Sequence, residues 1–198
     1  MKSSPFYLIL MWCCITTGQT SYIVSKNGNK IEVQNNSLQV LVLDKIVSFK
    51  TSAGSSKEMS FSDINEAVFG SYKFKSFKFP ENKSNNCFFV LAETNSKSLI
   101  FIGIPAAESE EGAVNVPLKF EMYVLDTSSK VLDFLSFNNL KNDKGVKGRS
   151  EVHDFLRRNF VDCLDLMDRF ADYDKINLPQ YMGILGFFMK PTFVKCAY

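Results

Sequence analysis

The chain has 198 residues, with 23 basic and 21 acidic side chains and a formal net charge of +2, a balance that supplies no global field for nucleic acid or anionic lipid. Its length suffices for one domain with its own core or for two small ones, so disulfides are not obligatory for folding. Nineteen Phe and seven Tyr predict a phenylalanine-rich β core rather than an aromatic ligand cage.

The N-terminus reads as an export signal over 1–18. Lys2 supplies the positive start, residues 6–15 form an apolar run of ten, and Thr16, Thr17 and Gly18 give small side chains before a cleavage between Gly18 and Gln19. Ten residues reach only about 15 Å as a helix, half the ~30 Å hydrocarbon core, which argues against a permanent transmembrane anchor. Cys13 and Cys14 raise a lipoprotein reading, but Met11 and Trp12 stand where a lipidation site wants small side chains. Secretion or periplasmic delivery of the chain from residue 19 is the expectation.

From 21 to 137 the sequence predicts short strands cut by turns. Runs at 22–24 and 30–33 flank Asn27-Gly28, a hairpin signal. Further strands are expected at 38–43, 46–49 and 57–61, with 62–65 as a one-turn connection. Residues 72–79 alternate aromatic and polar side chains, with a slip of phase between Phe74 and Phe77 that predicts a β-bulge near Lys75 and Ser76. A hairpin over 87–91 and 99–104 turns through 95–97. The segment 105–117 is a loop and a boundary between two sub-sheets, and strands follow at 118–124 and 131–137.

Two glycines in 141–149 mark a hinge into helical sequence. Ser150 is an N-cap candidate, and Val152, Phe155, Leu156, Phe160, Cys163, Leu164, Met167 and Phe170 recur at helical spacing, which predicts one long amphipathic helix over 150–173. A short second helix is expected over 180–188. The fold class is therefore α+β: an antiparallel β body over 19–140, a small barrel or a sandwich, with a C-terminal helical segment over 141–198 packed on it.

The chemistry on offer is sparse. His153 is the only histidine, and ten helical residues separate it from Cys163, about 15 Å of rise, so the two cannot pair as base and nucleophile. Asp162, Asp165, Asp168 and Asp172 share a helix face with Arg158 and Arg169, the pattern of a solvated face rather than of a cation site. Lys73, Lys75 and Lys78 among aromatics imitate a single-strand nucleic-acid platform, but export and charge balance oppose it. Ser129 and Lys130 are neighbours, and adjacent strand residues point to opposite faces, so they form no dyad. No GxSxG, HExxH or phosphate-binding glycine loop occurs. Asn35 and Asn82 fit the N-glycosylation pattern, with Ser37 and Ser84 two residues on. Of Cys87, Cys163 and Cys196, the two C-terminal ones are the expected disulfide pair, which leaves Cys87 free.

The early 26–31 hairpin with Asn27-Gly28-Asn29, the turn Phe61-Ser62-Asp63-Ile64, the strand Tyr72-Lys73-Phe74 and the helix carrying Phe155-Leu156 through Phe160-Val161-Asp162-Cys163 resemble a group of uncharacterised secreted proteins of flavobacteria and related bacteria. The resemblance implies a signal peptide, a β-rich body and C-terminal helices, and it carries no activity or catalytic residues. This chain departs from the group at Leu164, where a proline often follows the cysteine, and in its tail over 190–198.

The expected function is an exported, non-catalytic envelope or extracellular protein with a binding or structural role. It needs no cofactor or metal, its partner is an unknown protein or envelope component rather than nucleic acid, and its oligomeric state is open. The alternative is a carboxylate-dependent hydrolase acting on an envelope polymer, with Glu121, Asp126 and Asp133 as its acids. A third class, an exported toxin or effector, is suggested only by the unpaired thiol.

Overall fold

The computed structural model describes residues 21–35, 37–41, 44–79, 82–104, 119–138, 144–175, 187–188 and 191–197. In chain order the strands are β1 (Ser21–Ser25), β2 (Lys30–Val33), β3 (Gln39–Leu41), β4 (Ile46–Lys50), β5 (Ser56–Ser60), β6 (Ile64–Phe69), β7 (Tyr72–Phe77), β8 (Asn86–Glu93), β9 (Lys97–Ile104), β10 (Lys119–Asp126) and β11 (Val131–Asn138). Two helices, α1 (Lys144–Phe160) and α2 (Leu164–Lys175), and a short β12 (Val194–Lys195) complete the chain.

Nine strands form one sheet in the order β11-β10-β9-β8-β7-β6-β1-β2, with β12 paired to β8 off this path. From β6 to β11 the sheet is a plain antiparallel meander, built by local hairpins that need no crossover. The β1-β2 hairpin turns at Gly28, whose φ of 84° is the left-handed conformation the Asn-Gly signal anticipates. The expected barrel does not form: β2 and β11 remain the two edges of an open sheet. The sandwich expectation fits one half, where the separate sheet β3-β4-β5 sends Val47 and Phe49 into a buried cluster with Ile23, Ile64, Ala67 and Phe74.

In the other half the inner strands β8 to β10 are buried on both faces. On one, the helices bring Val152, Phe155, Leu156, Phe160, Leu166 and Phe170 onto Leu91, Leu99, Phe101, Phe120, Met122 and Val124. On the opposite face Phe79, Phe88, Val90, Ile100 and Leu125 form a second cluster with Phe77 and Tyr123 beside it. This double burial explains why β8 and β9 read as continuous apolar runs rather than as alternating ones.

Three sequence expectations are corrected. No bulge interrupts β7 near Lys75 and Ser76, which pair regularly with Phe88 and Cys87. Instead Ser76 occupies an inward position, its hydroxyl donating to the Phe61 carbonyl, while Phe77 faces the other, equally aromatic side against Phe79; the apparent slip of phase is a strand with two buried faces. Ser62 to Asn65 is not merely a connection, because β6 begins at Ile64. The single helix over 150–173 is two, starting earlier at Lys144 and breaking at Val161 and Asp162 before Cys163. At the break Cys163 is buried and bonded to Cys196, and the Leu166 and Met167 amides donate to its carbonyl at 3.1 and 3.0 Å to start α2.

The C-terminal segment is also not purely helical. The β7-β8 ladder stops at Phe74 and Phe89, and beyond it the tail enters the sheet. Thr192 bridges Tyr72 of β7, Val194 and Lys195 pair in parallel with Ala92 and Glu93 of β8, and the Phe193 amide donates to Ser71 at 2.7 Å. Behind the tail, Lys73 reaches Glu93 at 2.7 Å and Glu66 at 3.1 Å. Burial alone would lower the Lys73 ammonium, but the Glu93 hydrogen bond and the two carboxylate charges outweigh it and hold its pKa above the ordinary value. The loop boundary expected over 105–117, Cys13 and Cys14, Gly18 and Gln19, and most of the helix expected over 180–188 lie outside the described residues.

Candidate functional site

The second aromatic face runs out to the β11 edge, and there it is exposed. Directly opposed residues of an antiparallel pair share a face. Tyr123 of β10 is opposite Phe134 of β11, Val124 is opposite Asp133, and after a shift of register Leu125 is opposite Val131. The extra residue is Leu132, so this β-bulge turns Val131, Leu132 and Phe134 onto the face away from the helices. All three are exposed, at 38%, 54% and 46%.

Behind them rings form a continuous path across the sheet, Phe77 to Phe79 at 4.7 Å, Phe79 to Tyr123 at 4.4 Å and Tyr123 to Phe134 at 4.8 Å between centroids. Its polar margin is Glu121, whose carboxylate accepts from the Tyr123 hydroxyl at 2.7 Å and from Lys119 at 2.6 Å. Burial would raise the Glu121 pKa, but these two hydrogen bonds and the Lys119 charge bring it below the ordinary value. The surface is thus apolar and aromatic at the sheet edge, with a fixed carboxylate and hydroxyl beside it. Chemically it suits adhesion to an apolar or extended partner.

The carboxylates of the hydrolase alternative do not converge. Asp133 sits on the helix face, accepting from Arg158 at 2.7 and 3.1 Å and from Asn159 at 2.6 Å; the Arg158 hydrogen bond is the main reason its pKa lies below the ordinary value. Glu121 points to the other face, with Tyr123. Asp126 closes the β10-β11 turn, where its Oδ1 accepts from the Ser128 hydroxyl at 2.7 Å and from the Lys130 and Ser128 amides at 2.8 Å each. The Ser128 hydroxyl bond leads the lowering of its pKa. Ser129, with φ at 67°, and Lys130 belong to this same turn.

The remaining candidates are scattered. The His153 side chain is half-exposed beside Asp154. Among the described residues no group of three or more His, Cys, Asp or Glu could hold a metal, so Asp162, Asp165, Asp168 and Asp172 are not gathered into a site. Lys73 is held between two glutamates rather than presented to a polymer. Asn35 is exposed, though its side chain accepts from Ser21 at 2.8 Å, and Ser84 of the second sequon bonds Lys45. Cys163 and Cys196 are bonded to each other with Cα atoms 5.2 Å apart, and Cys87 is free and buried, its thiol pushed up to about 12 by desolvation.

Sequence reasoning missed the edge face because residues 131–137 read simply as a strand. The legible signal was Leu132 and Phe134 in a strand whose other parity, Leu135 and Phe137, is also apolar: both faces had to meet something. No helix among the described residues is long and apolar enough to cross a membrane. Comparison of the chain with protein-family models, with curated proteins and with solved structures returns no match.

Proposed function

We propose that this is an exported, non-catalytic protein of the cell envelope or extracellular space that works by presenting the β10-β11 face to a partner. The observation that carries this reading is the clustering of Val131, Leu132 and Phe134, half of the exposed large hydrophobic side chains among the described residues, on one face of one edge strand. Patches of this kind mark interaction surfaces. The disulfide fits an oxidising compartment, the signal reading of residues 1–18 supplies the route there, and the likeness to secreted flavobacterial proteins belongs to the same proposal. Dispersal of Glu121, Asp126 and Asp133 over two faces and a turn lends the hydrolase alternative no support.

The test is capture from envelope and culture fractions with the native protein and with Phe134→Lys, alongside a hydrolase screen on envelope polymers. The expected result is a defined species retained by the native protein, lost with the variant, and no turnover. Equal retention by both proteins, or robust turnover, contradicts the proposal.

A further inference from the structure

The two edges of the large sheet differ in how they are protected. On β2, Lys30 and Glu32 are exposed, and the small sheet occupies part of the backbone through the Val33–Thr51 bridge and a bond from the Ser52 amide to the Glu32 carbonyl at 3.1 Å. Charged side chains and a covered backbone are the usual ways of keeping an edge from pairing. On β11, eight residues long, there is no lysine and no proline. Its single charge, Asp133, is already matched by Arg158, and its bulge lies at one end, between the pairs Val124–Asp133 and Leu125–Val131. The Phe134 amide donates to Asp133 Oδ1 at 2.8 Å rather than into the ladder with β10, so it faces outward, where a further strand would meet it.

The geometry points to β11 as the seam at which a second copy of this chain pairs, antiparallel, across a two-fold axis near Phe134, continuing the sheet from one protomer into the next. The inference deepens the binding reading above and rests on it, naming the partner as the chain itself. Antiparallel self-pairing centred on Phe134 keeps like faces together over 132–136: Phe134 meets Phe134, Leu132 meets Ser136, and Asp133 meets Leu135, and the ladder ends at the bulge, beyond which Val131 and Phe137 lie on different faces. No charge is placed opposite its own kind, which an arbitrary partner strand would not guarantee. The formal charge of +2 adds little repulsion between copies. The exposed apolar face is then shared, as an isologous interface requires, and the Phe134 amide exchanges its carboxylate bond for a ladder bond.

Sedimentation of the purified full chain over a concentration series tests this, with Phe134→Lys and Leu132→Lys on the seam and Glu32→Lys on the other edge. Both seam side chains are exposed, so the variants keep the native fold, checked by circular dichroism. The native chain and Glu32→Lys are expected to form dimers, and each seam variant to weaken association by about tenfold or more: Phe134→Lys sets two lysines opposite each other on the axis, and Leu132→Lys puts a charge that must stay hydrated into the shared apolar face. A native chain that stays monomeric at several hundred micromolar, or seam variants that dimerise as tightly as the native chain, overturns the inference. A monomer that still captures a foreign species through Phe134 defeats self-pairing while leaving the binding proposal standing.

Discussion

Asp133 ties the last strand to the first helix through three side-chain hydrogen bonds, two from Arg158 and one from Asn159. Its pKa is lowered in the folded protein, so its contribution is present above the pKa of the unfolded carboxylate, about 4, and is lost as pH falls through the folded value. With Arg158 half-exposed, solvent screening keeps the effect modest. Asp133→Asn is expected to cost about 1 kcal/mol at neutral pH, and denaturant titrations of the two proteins should converge as pH drops below the carboxylate range; a constant gap would contradict the assignment. Lys73 is a heavier anchor, because removing it leaves Glu66 and Glu93 facing each other in a part-buried site. Lys73→Met should cost about 2–3 kcal/mol in thermal or chemical unfolding. At Cys87, burial and a pKa of about 12 predict no reaction with a thiol reagent at pH 8 until denaturant opens the sheet; rapid labelling of the native protein would contradict its placement.

At the scale of elements, the disulfide links the α1-α2 break to the tail that enters the sheet between β7 and β8. Losing it by Cys163→Ser with Cys196→Ser is expected to lower stability by about 2–4 kcal/mol and to make the tail the first site of limited proteolysis; an unchanged unfolding midpoint would deny it that role. Most strands were legible in the sequence because hairpin turns and apolar runs are local signals: the Asn27-Gly28 turn, the turn over 95–97 and the pairing of Cys163 with Cys196 are all found. The misses share a physical cause. Periodicity assumes one buried face, and β7 has two, so Phe77 read as a slipped residue when it packs on Phe79. Helical spacing continues across Val161 and Asp162, where the helix breaks beside the disulfide-bonded Cys163. The bulge at Leu132 and the exposure of Phe134 follow from register, which no run of residues reveals.

The whole molecule is an open sheet whose two ends have different fates. Near β2 a small sheet covers one face and contributes to the cluster around Ile23 and Phe49. Near β11 the helices cover one face only, and the other carries an aromatic path out to an edge whose single charge, Asp133, is paired with Arg158. On this account the protein's business is conducted at that edge. Amide hydrogen exchange of the purified chain, followed from well below to well above its association midpoint, tests this most directly. Slowing of the outward amides of β11, Phe134 among them, with β2 unchanged, is the predicted result. Exchange at β11 that is indifferent to concentration, or protection that grows at β2 instead, would contradict it.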